Sequence, residues 1–390
     1  MRITRRGALA APLLLAGRAR GAERPVQVGV LTDETGPYAD SGGAGSVWAA
    51  QAAVQDFGGT VLGAPIQVLH ADTQNKPDVA GAIARQWYDS GADLVTDLPV
   101  TPVAAAVLQV AREKQKSVII TAAAITEFTS KLCSPYSVHW ADDTHALAGG
   151  TTQEVVKSGK KRWFFITVDF AFGVALQQQA TEIIVAGGGQ VIGSAKYPLG
   201  NTDYSSQLVS AQSSGADVIG LASVGNDQVN CIKQASEFGL KATLVGFLVY
   251  ITDVHALGLK AAQGLTFSSS FYWDQGDAAR AFAGRFEAVR HAKPTRNQAS
   301  VYASTLHFLK AMAQAGTRDA VAVGKAMRAM PADYLGHPTT IRGDGRALYE
   351  LTLYRVKTPG ESTGAWDYYT PIGTIPAGEA FLAANPACLA

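Results

Sequence analysis

"SGADLVTDLPV", Ser90 to Val100, and "SGADVIGLASV", Ser214 to Val224, are two versions of one segment: a glycine turn, an aspartate, an apolar run and a loop of small residues. A short run that is apolar at successive positions and bounded by turn residues reads as a strand covered on both faces, as in a parallel sheet. Upstream the pairing continues. "GGTVLGAPIQVL" from Gly58 matches "GGQVIGSAKYPL" from Gly188, and "VGVLTD" ending at Asp33 matches "FFITVD" ending at Asp169. The offset between partners shortens steadily along the chain, as expected of two copies of one α/β unit with small loop deletions. Alanine-rich, helix-patterned stretches separate the strands, so the predicted fold is α/β with two similar lobes, each a parallel sheet flanked by helices, and a ligand cleft between them. In such sheets ligands bind at the carboxyl edge, where the strand-closing loops gather.

The joints between lobes fall near "VHWADDTHA", "TFSSSFYW" and "IRGDGRALYE", which assigns residues 22–143 plus 271–342 to lobe 1 and 144–270 plus 343–390 to lobe 2. Several connections of this kind allow hinge closure with little sliding. A chain of 390 residues with 47% hydrophobic content exceeds what one core usually organises, in keeping with two units. Lys plus Arg, 33, nearly balances Asp plus Glu, 32, so no field steers the protein onto nucleic acid or an anionic membrane.

Residues 1–21 carry Arg2, Arg5 and Arg6, a short apolar stretch from Ala8 to Ala16 and an Ala19-Arg20-Gly21 cleavage pattern. This reads as a secretory signal peptide of twin-arginine-like form, removed from a periplasmic mature protein. No later segment offers the about 20 apolar residues of a membrane span. Cys133, Cys231 and Cys388 are odd in number and far apart, compatible with one bridge at most; isolated thiols are the favoured reading, with Cys231 a small buried apolar residue in a helix.

The glycines of "LTDETGPYADSGGAGSVWAA", Leu31 to Ala50, invite a nucleotide reading, but Gly43-Ala44-Gly45 is followed by Ser46-Val47-Trp48, an incomplete G-x-G-x-x-G lying too far from the strand. A loop that lets backbone N–H groups approach a small ligand fits better. No metal site or cofactor is expected: helix capping by Asp142 or Asp143 explains "HWADDTHA" more simply than ligation by His139, Asp142, Asp143 and His145. Tyr38, Trp140, Phe172 and Tyr250 all fall at or near strand-closing loops and together predict an apolar, ring-stacking pocket.

The exported two-lobed chain, with "GPYADSG" after its first strand, "DFAFG" opening the second copy and "ITDVHALGLKAAQGL" before the second joint, resembles the solute-binding proteins of ABC transporters of the branched-chain amino acid type. These are type I periplasmic binding proteins, similar to the Leu/Ile/Val-binding proteins. The resemblance implies a monomer that closes on a small molecule and presents it to a membrane permease, without catalysis. It implies ligand contacts from Tyr38 and Ser41; from Pro99, Val100 and Thr101; from Thr121, Ala122, Ala123 and Ala124; and, in the second lobe, from Phe172, Ser223, Val224, Asn226, Phe247 and Tyr250. In lobe 1, backbone N–H groups and small hydroxyls of these loops would hold a ligand carboxylate.

One departure bears on the ligand. Amino-acid binders of this kind carry an acid after the strand that here reads "TLVGFLVY", to pair the ligand's ammonium; this chain has Phe247, Leu248 and Val249, and Ile125 replaces a hydroxyl after "AAA". A buried unpaired ammonium costs several kcal/mol, on the order of an ion's desolvation penalty. An aromatic or aliphatic carboxylate or amide is therefore expected over an α-amino acid, unless Asp40, Asp97 or Asp227 supplies the acid from another direction. Two other readings stay open: a sensor of the same fold feeding a signalling partner, and a periplasmic hydrolase with Ser223 as nucleophile, which needs a nearby base.

Overall fold

The computed structural model describes residues 24–388; the signal-peptide reading of residues 1–21 lies outside them. The first sheet runs in the spatial order Thr60–Val61, Ala64–Asp72, Val26–Thr32, Leu94–Asp97, Ser117–Ile120, Ser137–His139, and the second in the order Thr243–Gly246, Val218–Ala222, Arg162–Val168, Gln190–Tyr197. Numbered within each copy, the four shared strands lie side by side as 2-1-3-4 in both sheets, so the sequence repeat is a repeat of topology. All of these pairings are parallel except that of the two-residue strand Thr60–Val61. Such pairs need crossover connections, which the helices Gly43–Phe57, Pro77–Ser90 and Thr101–Lys114 supply in the first copy and Ala171–Ala186, Ser205–Ser213 and Gly225–Glu237 in the second.

The strands are buried as their apolar runs predict: Leu94 to Asp97 and Ser117 to Ile120 are buried at every position, and so are Trp163 to Val168. The glycine of "DFAFG" has a packing reason, since a Cβ on Gly173 would collide with the Val168 carbonyl oxygen where the helix leaves the strand. In both copies the strand order reverses direction between strands 1 and 3, the switch point at which an open parallel sheet leaves a crevice at its carboxyl edge.

Helices Asp277–Arg290, Arg296–Ala315 and Ala320–Ala329 return to the first lobe, where Arg296–Ala315 packs along Gly43–Phe57. An antiparallel sheet of Thr266–Ser269, Leu351–Val356 and Tyr369–Ile375 completes the second. The third expected joint, at 342/343, falls within a small hairpin: Ala347–Leu348 pairs with His337–Ile341, and Arg346 bridges to His139.

The three crossings meet at one carboxylate. Asp142, in the first, accepts hydrogen bonds from Ser270 N of the second at 3.0 Å and from the Tyr349 hydroxyl of the third at 3.1 Å, and pairs with Arg296 at 3.2 Å. Beside it Asp143 caps the helix Thr144–Lys157 by accepting from Ala146 N, and faces Arg346 at 3.4 Å. His139 contacts the Ala123 carbonyl at 2.8 Å and Arg346 Nη1 at 3.0 Å; burial and the adjacent guanidinium hold its pKa well below the ordinary histidine value.

The expectation of isolated thiols is corrected. Cys133 and Cys388 form a disulfide across 255 positions of sequence, while Cys231 is the buried free thiol that its helical setting predicts. Spacing along the chain could not show the pairing, because the tail must first return from the second lobe to the first. It leaves the strand Tyr369–Ile375, packs Phe381 on Tyr349 at 5.2 Å and on the Arg346 guanidinium at 4.4 Å, and gives the Leu382 carbonyl to Arg342.

Candidate functional site: the cavity between the lobes

The loops at the two carboxyl edges face each other and enclose a cavity. Lobe 1 contributes Tyr38, Ser41 and Gly42 after strand 1, Pro99 and Thr101 after strand 3, and Ala122, Ala123 and Ala124 after strand 4. Lobe 2 contributes Phe170 and Phe172, Val224, and Leu248 and Tyr250 from the loops after the same three strands of its copy, and Asn297 completes the wall. The loop after strand 2, which lies outside the switch point, contributes to neither side. The empty space is about 430 Å³ with its mouth included. The walls stand close together, which suits a flat or slender molecule.

The opening loop is folded from within. Asp33, fully buried at the strand end, accepts from Gly36 N at 2.7 Å, Tyr38 N at 2.9 Å and Asn75 Nδ2 at 2.8 Å, so it shapes the turn that delivers Tyr38 to the cavity. From the other side the helix Arg296–Ala315 grips the same loop: Gln298 Nε2 donates to the carbonyls of Asp40 and Gly42, and Thr295 Oγ1 to that of Ser41 at 2.7 Å. The glycines therefore serve a tightly held loop.

Three long helices begin at the cavity without a capping side chain: Thr101–Lys114 after Val100, Ala171–Ala186 after Phe170, and Gly225–Glu237 after Val224. Their first-turn N–H groups and the positive ends of their dipoles converge from both lobes, a setting that favours an anion. Among the described residues no charged side chain lines the cavity. None of the three acids that sequence left open lines the cavity. Asp40 is exposed, Asp97 accepts from Asn297 Nδ2 at 2.9 Å, and Asp227 accepts from Gly200 N at 3.0 Å. Burial raises the pKa of Asp97 and pushes that of Asp227 up to about 6; Asp253, which accepts from Tyr250 N at 2.9 Å, is pushed up to about 7.

Of the residues singled out in the sequence, Tyr38, Ser41, Pro99, Thr101, Ala122, Ala123, Ala124, Phe172, Val224 and Tyr250 are brought together on the cavity wall. Six are placed elsewhere. Trp140 is fully buried in lobe 1, edge-on to Tyr334 at 6.1 Å and to His307 at 6.0 Å, and Phe247 stacks on Phe165 at 6.1 Å within lobe 2. Val100 packs into the core, Thr121 is buried beneath the loop with its N–H on the Asp97 carbonyl, and Asn226 is exposed. Ser223 faces Gln228 at 3.5 Å, and Gln228 Nε2 holds the Leu248 carbonyl at 2.9 Å, a brace behind the wall. Sequence reasoning missed Gly42, Phe170, Leu248 and Asn297 as parts of the cavity wall. The first three are neighbours of predicted residues, whereas Asn297 sits on a helix outside the repeat and carries no local signal.

The sequence profile of the periplasmic binding protein family matches residues 25–364. A periplasmic binding protein from Burkholderia mallei is 43% identical and superposes with a TM-score of 0.89, covering 92% of this chain and 96% of that one. A periplasmic ligand-binding protein of a branched-chain amino acid ABC transporter from Burkholderia xenovorans LB400 is 37% identical, with a TM-score of 0.81 and coverage of 91% and 96%. Among curated relatives, the Leu/Ile/Val-binding protein homolog 6 of Brucella melitensis is 24% identical over 249 residues, 62% of this chain; the chain thus spans 63% of that relative's length. The fold alone is shared with a solute-binding protein from R. palustris solved in complex with benzoate, at 20% identity and a TM-score of 0.83, covering 94% of this chain and 99% of that one. With the duplicated sheet, the facing loops and the matched length in agreement, the chain belongs to the periplasmic binding protein family, of the type found in branched-chain amino acid ABC transporters.

Proposed function

We propose that this protein is the exported, monomeric solute-binding component of an ABC importer, and that it closes on a small organic carboxylate with a flat aromatic or slender aliphatic body. The observation that carries the ligand class is the convergence of three uncapped helix N-termini on a cavity whose lining holds no charged side chain. A carboxylate there gains N–H donors and dipole stabilisation, while an α-ammonium has no countercharge and bears a desolvation cost of several kcal/mol. Phe170 and Phe172, 6.0 Å apart, and Tyr250 offer ring surface to the ligand's body. The benzoate complex of the R. palustris protein supports the same class. Lobe 1 comprises residues 24–143 and 271–348 with the returning tail 381–388, and lobe 2 comprises residues 144–270 and 349–380. Closure is a population shift set by ligand contacts to both lobes, after which the closed form is offered to a permease.

The test is thermal denaturation and titration calorimetry of the exported chain with benzoate, phenylacetate, isovalerate, benzamide and L-leucine. Carboxylates raise the thermal midpoint with a stoichiometry of one, and leucine binds more weakly than isovalerate. A shift with leucine alone would overturn the ligand class; silence across the panel would overturn small-carboxylate binding itself.

A further inference from the structure

Among the unpartnered side-chain polar atoms of the cavity-wall residues, one can act in only one way. Asn297 is 2% exposed and reaches the cavity from the first turn of the helix Arg296–Ala315. Its Nδ2 donates to Asp97 Oδ1 at 2.9 Å, and its Oδ1 has no hydrogen-bond partner. A carboxylate oxygen accepts and cannot donate, so Asp97 fixes which end of the amide faces it and leaves the carbonyl oxygen of this cavity-lining residue unpartnered. The other unpartnered groups on the wall, the hydroxyls of Tyr38 and Thr101, can donate or accept and so adapt to either kind of ligand atom. Asn297 Oδ1 accepts only.

We infer that Asn297 is a specificity-determining residue, and that the ligand carries, besides its carboxylate, a hydrogen-bond donor such as a hydroxyl or an N–H group that meets Asn297 Oδ1. This rests on the carboxylate reading above and narrows it. A buried acceptor left unpaired keeps its desolvation penalty, so a ligand lacking the donor is disfavoured even when its shape fits. Asp97 is the positioning residue in this arrangement. The backbone at Asp97 and Leu98 has positive φ, 81° and 68°, conformations that non-glycine residues adopt only where the surroundings hold them. They turn the chain under the loop where Gly42 leaves room, since a Cβ there would stand 3.3 Å from Asp97 Oδ2 and 3.2 Å from Asn297 Nδ2.

The experiment compares matched ligands on the full exported chain by calorimetry at pH 8: benzoate against 3-hydroxybenzoate and 4-hydroxybenzoate, and isovalerate against 2-hydroxyisovalerate and 3-hydroxyisovalerate. In each set the wild-type protein binds a donor-bearing member about tenfold or more tighter than its parent, roughly the effect of satisfying one buried acceptor. Asn297→Leu and Asn297→Ala, with retained folding checked by circular dichroism, bring the members of a set to within about twofold. Equal binding of parent and hydroxylated ligands by the wild type overturns the inference and leaves carboxylate binding standing, and this arm needs no variant to fold. A preference that persists in both folded variants also overturns it. Failure of every carboxylate to bind overturns both readings together.

Discussion

Asp33 and Asp169 occupy the same place in the two copies and do different work. Asp33 is buried and folds its loop through three accepted hydrogen bonds, while Asp169 stays at the surface and pairs with Lys196 at 2.9 Å. The first loop therefore needs an internal organiser, and the second is set by the close approach of Gly173 to its strand. Aromatic residues divide in a similar way. Phe172→Ala is expected to weaken ligand binding about tenfold or more while leaving the fold intact, because the ring sits on the cavity wall. Trp140→Ala is expected to lower stability by about 3–5 kcal/mol and to leave the affinity of the folded fraction unchanged, because it empties a fully buried site. Calorimetry and chemical denaturation separate the two, and loss of affinity without loss of stability at Trp140 would contradict its placement. Sequence could not distinguish these residues, since both close strands and only the direction of the loop decides which way a ring points. Asn297 was invisible for another reason: its role comes from Asp97, 200 positions earlier in the chain.

At the scale of elements the repeat was readable because period and composition survive duplication. Two strand runs closing on aspartate and two "SGAD" turns marked the two copies and the loops after their strands, while the shared 2-1-3-4 order is seen only in the structure. The third expected joint, "IRGDGRALYE", contains a short hairpin in which Ile341 pairs with Ala347. Local turn residues mark such a hairpin, but not the sheet that it serves. Asp142 ties all three crossings at one buried polar point. Asp142→Ala leaves Arg296 buried without its countercharge and is expected to cost about 3–5 kcal/mol in chemical denaturation, as for other broken buried pairs. A change below about 1 kcal/mol would show that the crossings do not depend on it.

For the whole molecule, the tail adds a fourth connection between the lobes, closed by the bond of Cys133 to Cys388. A cross-link over so long a loop restricts the unfolded chain strongly, and its removal is expected to cost about 2–4 kcal/mol. The thermal midpoint should fall on reduction, and by a similar amount in Cys388→Ser, with no further fall when that variant is reduced. An unchanged midpoint would show that the tail is held by its packing alone. Timing gives the bond a further consequence. Cys133 meets its partner Cys388 only after both lobes have been synthesised and the tail has travelled back, so every copy carrying this bond has already brought its distant segments together. The bond thus marks molecules in which the tail has docked, and a simple assay for the free Cys133 thiol counts those in which the bond has not formed.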